Sequence, residues 1–201
     1  AAPAPYSAPA AYYFPNVARM EAIEVLKGSS QVQYGPFTTG GAINLVSTPI
    51  PNSFSGKANI SYGSKNTFKS HTSVGSSWKH FGYMVEYLHY QSDGFKKYED
   101  HAAKGFKRND IIAKIRVKTD HVKGVNHALE LKFGYADENS DETYVGLSAD
   151  DFKKTPFLRY AGSQMDKLKT DHRQWVATYL LTFSNKLKIT TNAYYNYFHR
   201  N

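Results

Sequence analysis

Arg19–Pro51 reads RMEAIEVLKGSSQVQYGPFTTGGAINLVSTPIP, two short apolar runs held apart by glycines. Ala22–Leu26 and Ala42–Ser47 have strand character, and residues 29–34 between them read as a helical turn or loop. Gly28, Gly35, Gly40 and Gly41 mark places where the backbone turns tightly or approaches a neighbour. Pro49, Pro51 and Asn52 then close the unit. Ahead of it, residues 1–15 hold four of the chain's eight prolines, which suits an extended loop rather than a helix. Residues 1–52 are therefore expected to form a compact unit distinct from residues 53–201.

From Lys57 the pattern has period two. Ala58, Ile60 and Tyr62 alternate with polar residues, and Phe68, Thr72, Val74 and Trp78 share a face of the next run. Phe81, Tyr83, Val85 and Tyr87 form a third apolar face with Glu86 opposite. Ile111, Ala113, Ile115 and Val117 oppose Lys114, Arg116 and Lys118, the sharpest alternation in the chain. Leu129, Leu131, Phe133 and Tyr135 make the fifth face, and Trp175, Ala177, Tyr179, Leu181 and Phe183 the sixth. Leu187, Ile189, Ala193, Tyr195 and Tyr197 make the seventh. Several runs reach the length of about 9–11 residues that a tilted strand needs to cross a bilayer.

The connections alternate in length. Those near residues 79–80, 119–126 and 184–186 are short, and those at 91–107 and 137–172 are long, with a short joint at 63–66 on the long side. Membrane barrels show this asymmetry, with tight turns at one rim and long external loops at the other. The fold expected is all-β dominated: part of a transmembrane antiparallel β-barrel, about seven strands, preceded by a compact glycine-rich unit that suggests a plug. The apolar faces then point to lipid, and Lys114, Arg116 and Lys118 line a hydrated wall.

Composition agrees with that reading and removes others. Aromatic residues make up 15% of the chain, with 16 Tyr and 12 Phe, which suits the aromatic girdles of barrels. Mean hydropathy is −0.56 and no apolar run approaches the roughly 18 residues of a membrane helix. The net charge of +8 is scattered, with no basic block and no nucleic-acid motif, so no nucleic-acid partner is expected. With no cysteine, disulfides and thiolate metal sites are excluded. The eight histidines are dispersed and no pair has ligand spacing on one face, so no metal centre is expected. Asp137, Glu138, Asp141 and Glu142 form an acidic patch that reads as a solvated loop face rather than a calcium site. Gly-x-Ser-x-Gly is absent and no nucleophile–base pair stands out, so the chain is not expected to be an enzyme.

Met20–Gly28, followed by Tyr34-Gly35-Pro36 and Gly40–Val46, resembles the C-terminal half of the plug of TonB-dependent outer-membrane receptors. Many members carry Arg before the Ile of their I-E-V run, where this chain has Ala22. Within that family the likeness is to ferric citrate (ferric dicitrate) receptors. It rests on Pro5-Tyr6 with Pro9 and Tyr12–Pro15, on Thr48–Pro51, and on Gly146–Phe152 with Arg159-Tyr160. The resemblance implies a plug inside a barrel of about 22 strands. Residues 1–52 would be the C-terminal part of the plug and residues 53–201 the N-terminal part of the barrel. The abrupt start at Ala1-Ala2-Pro3 and the end inside a strand-like run read as those of a piece of a longer protein.

What the resemblance implies for function is energised uptake of a ferric chelate across the outer membrane of a Gram-negative bacterium. Partners would be a TonB-type energising protein, engaged upstream of residue 1, outer-membrane lipid, and ferric citrate or a similar anionic iron chelate. No covalently bound cofactor is implied; the chelate is cargo. Recognition of an anionic chelate calls for Arg, Lys and Tyr at the external mouth. Tyr6, Lys107, Arg108, Arg159 and Arg173 are the candidates in this chain. Glu24, Gly28, Tyr34, Gly35, Gly40, Gly41 and Asn44 form the structural plug signature, with Glu24 expected to be buried against a partner. Another siderophore, haem, cobalamin or another metal chelate, and a passive barrel, are the competing readings. Haem is disfavoured because residues 1–18 contain no histidine.

Overall fold

The computed structural model describes residues 15–28, 41–98, 103–120 and 124–201. Tyr6, Tyr34, Gly35 and Gly40 lie outside the described residues. Two sheets account for most of what is described. The small one pairs β1 (Met20–Leu26) with β2 (Ala42–Ser47), antiparallel. The large one is a meander of β3 (Ser55–Gly63), β4 (Thr67–Ser77), β5 (Phe81–Tyr98), β6 (Ala103–Lys118), β7 (Asn126–Asp141), β9 (Lys167–Thr182) and β10 (Lys188–Arg200). These seven strands neighbour one another in chain order, and the two-residue β8 (Leu158–Arg159) joins β5 in parallel.

Strand number and polarity follow the period-two pattern. In β5 the even positions Gly82, Met84, Glu86 and Leu88 are buried, whereas Phe81, Val85 and Tyr87 are exposed. Ladder register carries this alternation across the sheet, because residues directly opposite share a face. Tyr83, Ile115, Leu131, Ala177 and Ala193 make one continuous row, and Val85, Ala113, Phe133, Trp175 and Tyr195 the next. Leu131 is 48% exposed and Trp175 56%, while Glu86 and Asp110 on the other face are 1% exposed. A water-soluble sheet would bury the first set and expose the second. This one is inside out.

The covered face is met by Arg19 at one end of the described part of the leading unit and by residues 47–51 at the other. Asn16 caps a 3₁₀ turn, Val17–Arg19, by accepting from the Ala18 amide at 3.0 Å, and the turn delivers Arg19 to the sheet. At the other end of the unit, Ile50 packs with Met84 and Ile112 as the only cluster of buried apolar side chains among the described residues. Small residues let this link lie flat. A Cβ on Gly75 would stand 2.7 Å from Pro51 Cδ and 2.7 Å from the Tyr83 carbonyl oxygen. Gly75→Ala is therefore expected to destabilise the complete protein by about 1–3 kcal/mol through overpacking. A thermal-unfolding midpoint equal to wild type would show that the link is not seated there.

The strands outrun the expected limits. The connections expected at 91–107 and 137–172 shrink to residues 99–102 and 142–166, because β5 reaches 18 residues and β6, β7 and β9 reach 16 each. At about 3.3 Å per residue a 16-residue strand spans roughly 50 Å, well beyond a tilted crossing of the hydrocarbon layer. The excess projects at the long-loop end. There the hydrophobic alternation stops while the backbone ladder continues. The acidic residues 137–141 accordingly lie on strand β7, not in a loop. The short joint on this side is the three residues 64–66: Lys65 and Asn66 have φ of 59° and 50°, and Thr67 N donates to Ser64 O at 3.2 Å. Positive φ at both central positions with that bond defines a type I′ turn, whose twist matches the flanking strands.

Candidate functional site

The covered face of the large sheet gathers the buried charges. Arg19 Nε lies 2.6 Å from Asp110 Oδ2, with side chains 9% and 2% exposed. Glu86 Oε1 receives the Thr48 hydroxyl at 2.9 Å and stands 2.7 Å from His71 Nε2. Lys114 Nζ donates to the carbonyls of Thr48 at 2.7 Å and Ser47 at 3.4 Å. The Arg19, Thr48 and Lys114 contacts tie the leading unit or its link to the wall, the His71–Glu86 pair joins two wall strands, and all use wall residues on the face opposite the exposed apolar rows. Buried charges persist only when paired or hydrogen-bonded, so these bonds hold the unit against the sheet. Arg116 faces Glu130 at 3.8 Å on the same wall.

Nearer the long-loop end the same face carries Arg108, paired to Glu138 at 2.8 Å. A cavity of about 20 Å³ lies between Asn16 and Arg19 on one side and Arg108, Asp110, Thr170 and His172 on the other. That is room for roughly one water among polar groups. Of the four candidate ligand residues that are described, only Arg108 is placed on this wall.

Lys107 and Arg173 lie at the same end of the strands but on the opposite face from Arg108. Lys107 is in the row Gln91, Lys107, Asn139, Lys169, and Arg173 in the row Tyr87, Ile111, Tyr135, Arg173, Tyr197, both on the outer face. Arg173 is clasped by Asp171, with Nε to Oδ1 at 2.9 Å and Nη2 to Oδ2 at 3.0 Å, and its guanidinium carbon sits 5.7 Å from the Tyr197 ring centroid. Period two alone assigns these faces once the apolar rows are known, so the signal was present in the sequence.

Arg159 serves its own loop. It sits on β8 opposite Tyr98, and its Nη1 donates to the carbonyls of Leu158 at 2.6 Å and Pro156 at 3.0 Å. Tyr98, fully buried, donates its hydroxyl to the Ser163 carbonyl, so residues 142–166 fold back onto the projecting end of β5. The short helix α1 (Ala149–Lys154) is capped by Ser148, whose hydroxyl accepts from Asp151 N at 3.1 Å. Asp151 Oδ2 in turn accepts from the Tyr160 hydroxyl at 2.5 Å and the Ser148 hydroxyl at 2.9 Å.

The Tyr160 hydroxyl first, and the Ser148 hydroxyl second, hold the Asp151 carboxyl below the usual carboxylate range. A depressed folded value means that the bonds contribute fully above the unfolded value, about pH 4, and are lost as pH falls through the folded one. Pepsin cleavage within 142–166 is thus expected to rise only below about pH 4. Asp151→Asn should flatten that dependence; an unchanged profile would show that the carboxylate does not hold the loop.

Of the plug signature, Gly28 and Gly41 have positive φ, 70° and 133°, as the spacing of breakers requires. Glu24 and Asn44 are ladder partners, with Asn44 Nδ2 donating to Glu24 Oε2 at 2.7 Å. Glu24 is exposed rather than buried, because the unit turns that strand to solvent. Arg19, three residues before Ala22, makes its own contact to the wall at Asp110. Asp110, Glu86, His71 and Arg19 are the residues the sequence reading passed over. The first two lie opposite apolar faces and could have been found there; nothing in the pattern marks Arg19.

Among the described residues no group of three or more His, Cys, Asp or Glu is placed to hold a metal. The acidic side chains of β7 are engaged separately: Asp137 with Asn109 at 2.8 Å, Glu138 with Arg108, and Asp141 with Lys167 at 3.1 Å.

No family model matches the chain. Among solved structures it is similar to the siderophore receptor PiuA from Acinetobacter baumannii, with a TM-score of 0.64 and 16% identity. The likeness covers 89% of this chain but 26% of that one, so the chain spans about a quarter of the receptor's length. What this establishes is fold: the meander is a partial antiparallel β-barrel wall.

Proposed function

We propose that the chain is part of a TonB-dependent outer-membrane receptor that takes up a ferric chelate, ferric citrate being the ligand its residues suit best. One observation carries the reading: a barrel wall with an apolar outer face has its buried charges bonded to a leading unit on the inner face. Residues 1–52 are then the plug part and residues 53–201 the barrel part. A passive barrel has no use for a unit held in its lumen by Arg19, Thr48 and the Lys114 contacts. Uptake in this scheme is binding and gating, with no bond made or broken in the cargo, and a TonB-type protein supplies the energy from the far side.

The anionic chelate meets cations on the inner wall. Arg108 faces inward just below the folded loop 142–166, and Arg159 lies within that loop. Tyr6 is the third candidate, on the resemblance to an apex loop. Lys107 and Arg173 leave the ligand set because they face outward.

Equilibrium binding of ferric dicitrate to the complete protein in detergent, beside haem and a hydroxamate siderophore, tests the proposal. Selective saturable binding, weakened by Arg108→Gln and unchanged by Lys107→Gln, is expected. Preference for another chelate would remove the citrate assignment, and binding of none would remove the receptor reading.

A further inference from the structure

We propose that a polar recess between the leading unit and strands β3 and β4 seats one end of the anionic cargo, with Lys69 the cation that selects a hydroxycarboxylate chelate. The inference rests on the receptor reading above and names where its cargo sits.

The recess holds about 520 Å³, and its lining includes Ala18 of the 3₁₀ turn, Asn59 and Ser61 of β3, and Lys69 and His71 of β4. That volume is within the roughly 300–1,000 Å³ of small-molecule sites. Ladder register puts the recess on the inner face. Asn59 and His71 share a row with Leu88 and Asp110, and Arg19, bonded to Asp110, brings its neighbour Ala18 to the same face. The next row towards the long-loop end runs Ser61, Lys69, Tyr90, Arg108.

The charge of the lining decides what it can hold. Lys69 and His71 are its titratable side chains, and no acid is among them. His71 is taken by Glu86, whereas Lys69 forms no ion pair with a described residue and lies over the Tyr90 ring, 5.9 Å from its centroid. Polar recesses further along the sheet are different: one contains Asp93 and Asp141, another Asp137, Glu138 and Asp171. A cation without an acid beside it, among amide and hydroxyl groups, suits an oxygen-rich anion. The lining has no Phe, Tyr or Trp, so an aromatic chelate finds no stacking surface there.

Placement adds a second requirement. Arg108 stands two strands further along the row from Lys69, about 10 Å at the usual strand spacing of about 4.8 Å. A ligand with carboxylates at opposite ends reaches both cations, and a compact anion reaches one. Lys69 went unnoticed in the sequence because it alternates with Phe68 in a run read for its apolar face.

The test is equilibrium binding of ferric dicitrate to the complete protein in detergent, with a catecholate chelate and inorganic phosphate as competitors. Lys69→Gln should weaken binding about tenfold, the loss of one charge-assisted contact, and Lys69→Arg should keep most of it. Ser61→Phe, which fills the recess, should weaken binding as well, with an unfolding midpoint equal to wild type. The outward-facing Lys107→Gln should change nothing. Wild-type affinity in Lys69→Gln and Ser61→Phe, with Arg108→Gln still weakened, would overturn the recess and leave the receptor reading standing. Equal weakening by Lys107→Gln would overturn it too, since a general field of charge would then suffice. Displacement by inorganic phosphate at matching concentration would overturn the two-ended ligand, and preference for the catecholate would overturn the hydroxycarboxylate class. Failure of wild type to bind any chelate would instead overturn the receptor reading itself.

Discussion

Arg19→Met is expected to lower the free energy that holds the leading unit on the barrel wall by about 3–5 kcal/mol, the usual penalty for stranding one partner of a buried ion pair. Asp110 is 1% exposed, and its Oδ1 has no hydrogen-bond partner among the described residues. Its other oxygen relies on Arg19 at 2.6 Å. Among the described residues the unit has few other contacts to the wall, since most of β1 is exposed. What remains is the Lys114 and Glu86 contacts to residues 47–48 and the Ile50 cluster. Hydrogen exchange of the β1–β2 amides in the complete protein reads this opening directly, and should accelerate about a hundredfold or more.

Arg19→Met with Asp110→Leu should recover most of the protection, because a well-packed apolar pair replaces a desolvated ionic one at little cost. Wild-type exchange in the single variant would mean that the unit is not retained by this pair. Gating would then have to act elsewhere, with Thr48 on Glu86 as the next contact to break.

Period two, with connections alternating in length, was enough to read seven strands, their order and their two faces. That information survives in a single chain because every second residue must meet lipid, whatever its partners are. Strand ends were not legible. Beyond Tyr87, the outer positions of β5 become His89 and Gln91, and a pattern built on hydrophobicity stops there while the ladder continues to Lys97. The site was half legible for the same reason. Face assignment follows from parity, so Arg108 and Lys107 are separated by one step along the chain and by the thickness of the sheet. Pairing is different: Arg19 with Asp110 spans 91 residues, and no local pattern announces it. Arg159 was read from its charge as a ligand, and no local pattern announced that its Nη1 would also bond the carbonyls of its own loop.

Leu131→Arg is expected to destabilise the barrel by about 2–4 kcal/mol, while Thr178→Arg, on the inner face of the neighbouring strand, should cost far less. Leu131 lies in the row with Ile115 and Ala177, which stands near the middle of the apolar band. That band runs from Phe183 and Leu187 at one rim to Tyr135 and Tyr197 at the other. A guanidinium there must be dragged into hydrocarbon or thin the bilayer around it, and the penalty is greatest at mid-depth. Thr178 shares the inner face with Glu130, its ladder partner, so an added cation meets a carboxylate and water instead. Leu131 is exposed and Thr178 only part-exposed, so in a water-soluble protein Leu131→Arg would be the milder change of the two. Denaturant unfolding of the complete protein in phospholipid vesicles separates the cases. Equal small effects at both positions would mean that the exposed apolar rows face something other than lipid, and with them would fall the assignment of inside and outside on which every functional residue here depends.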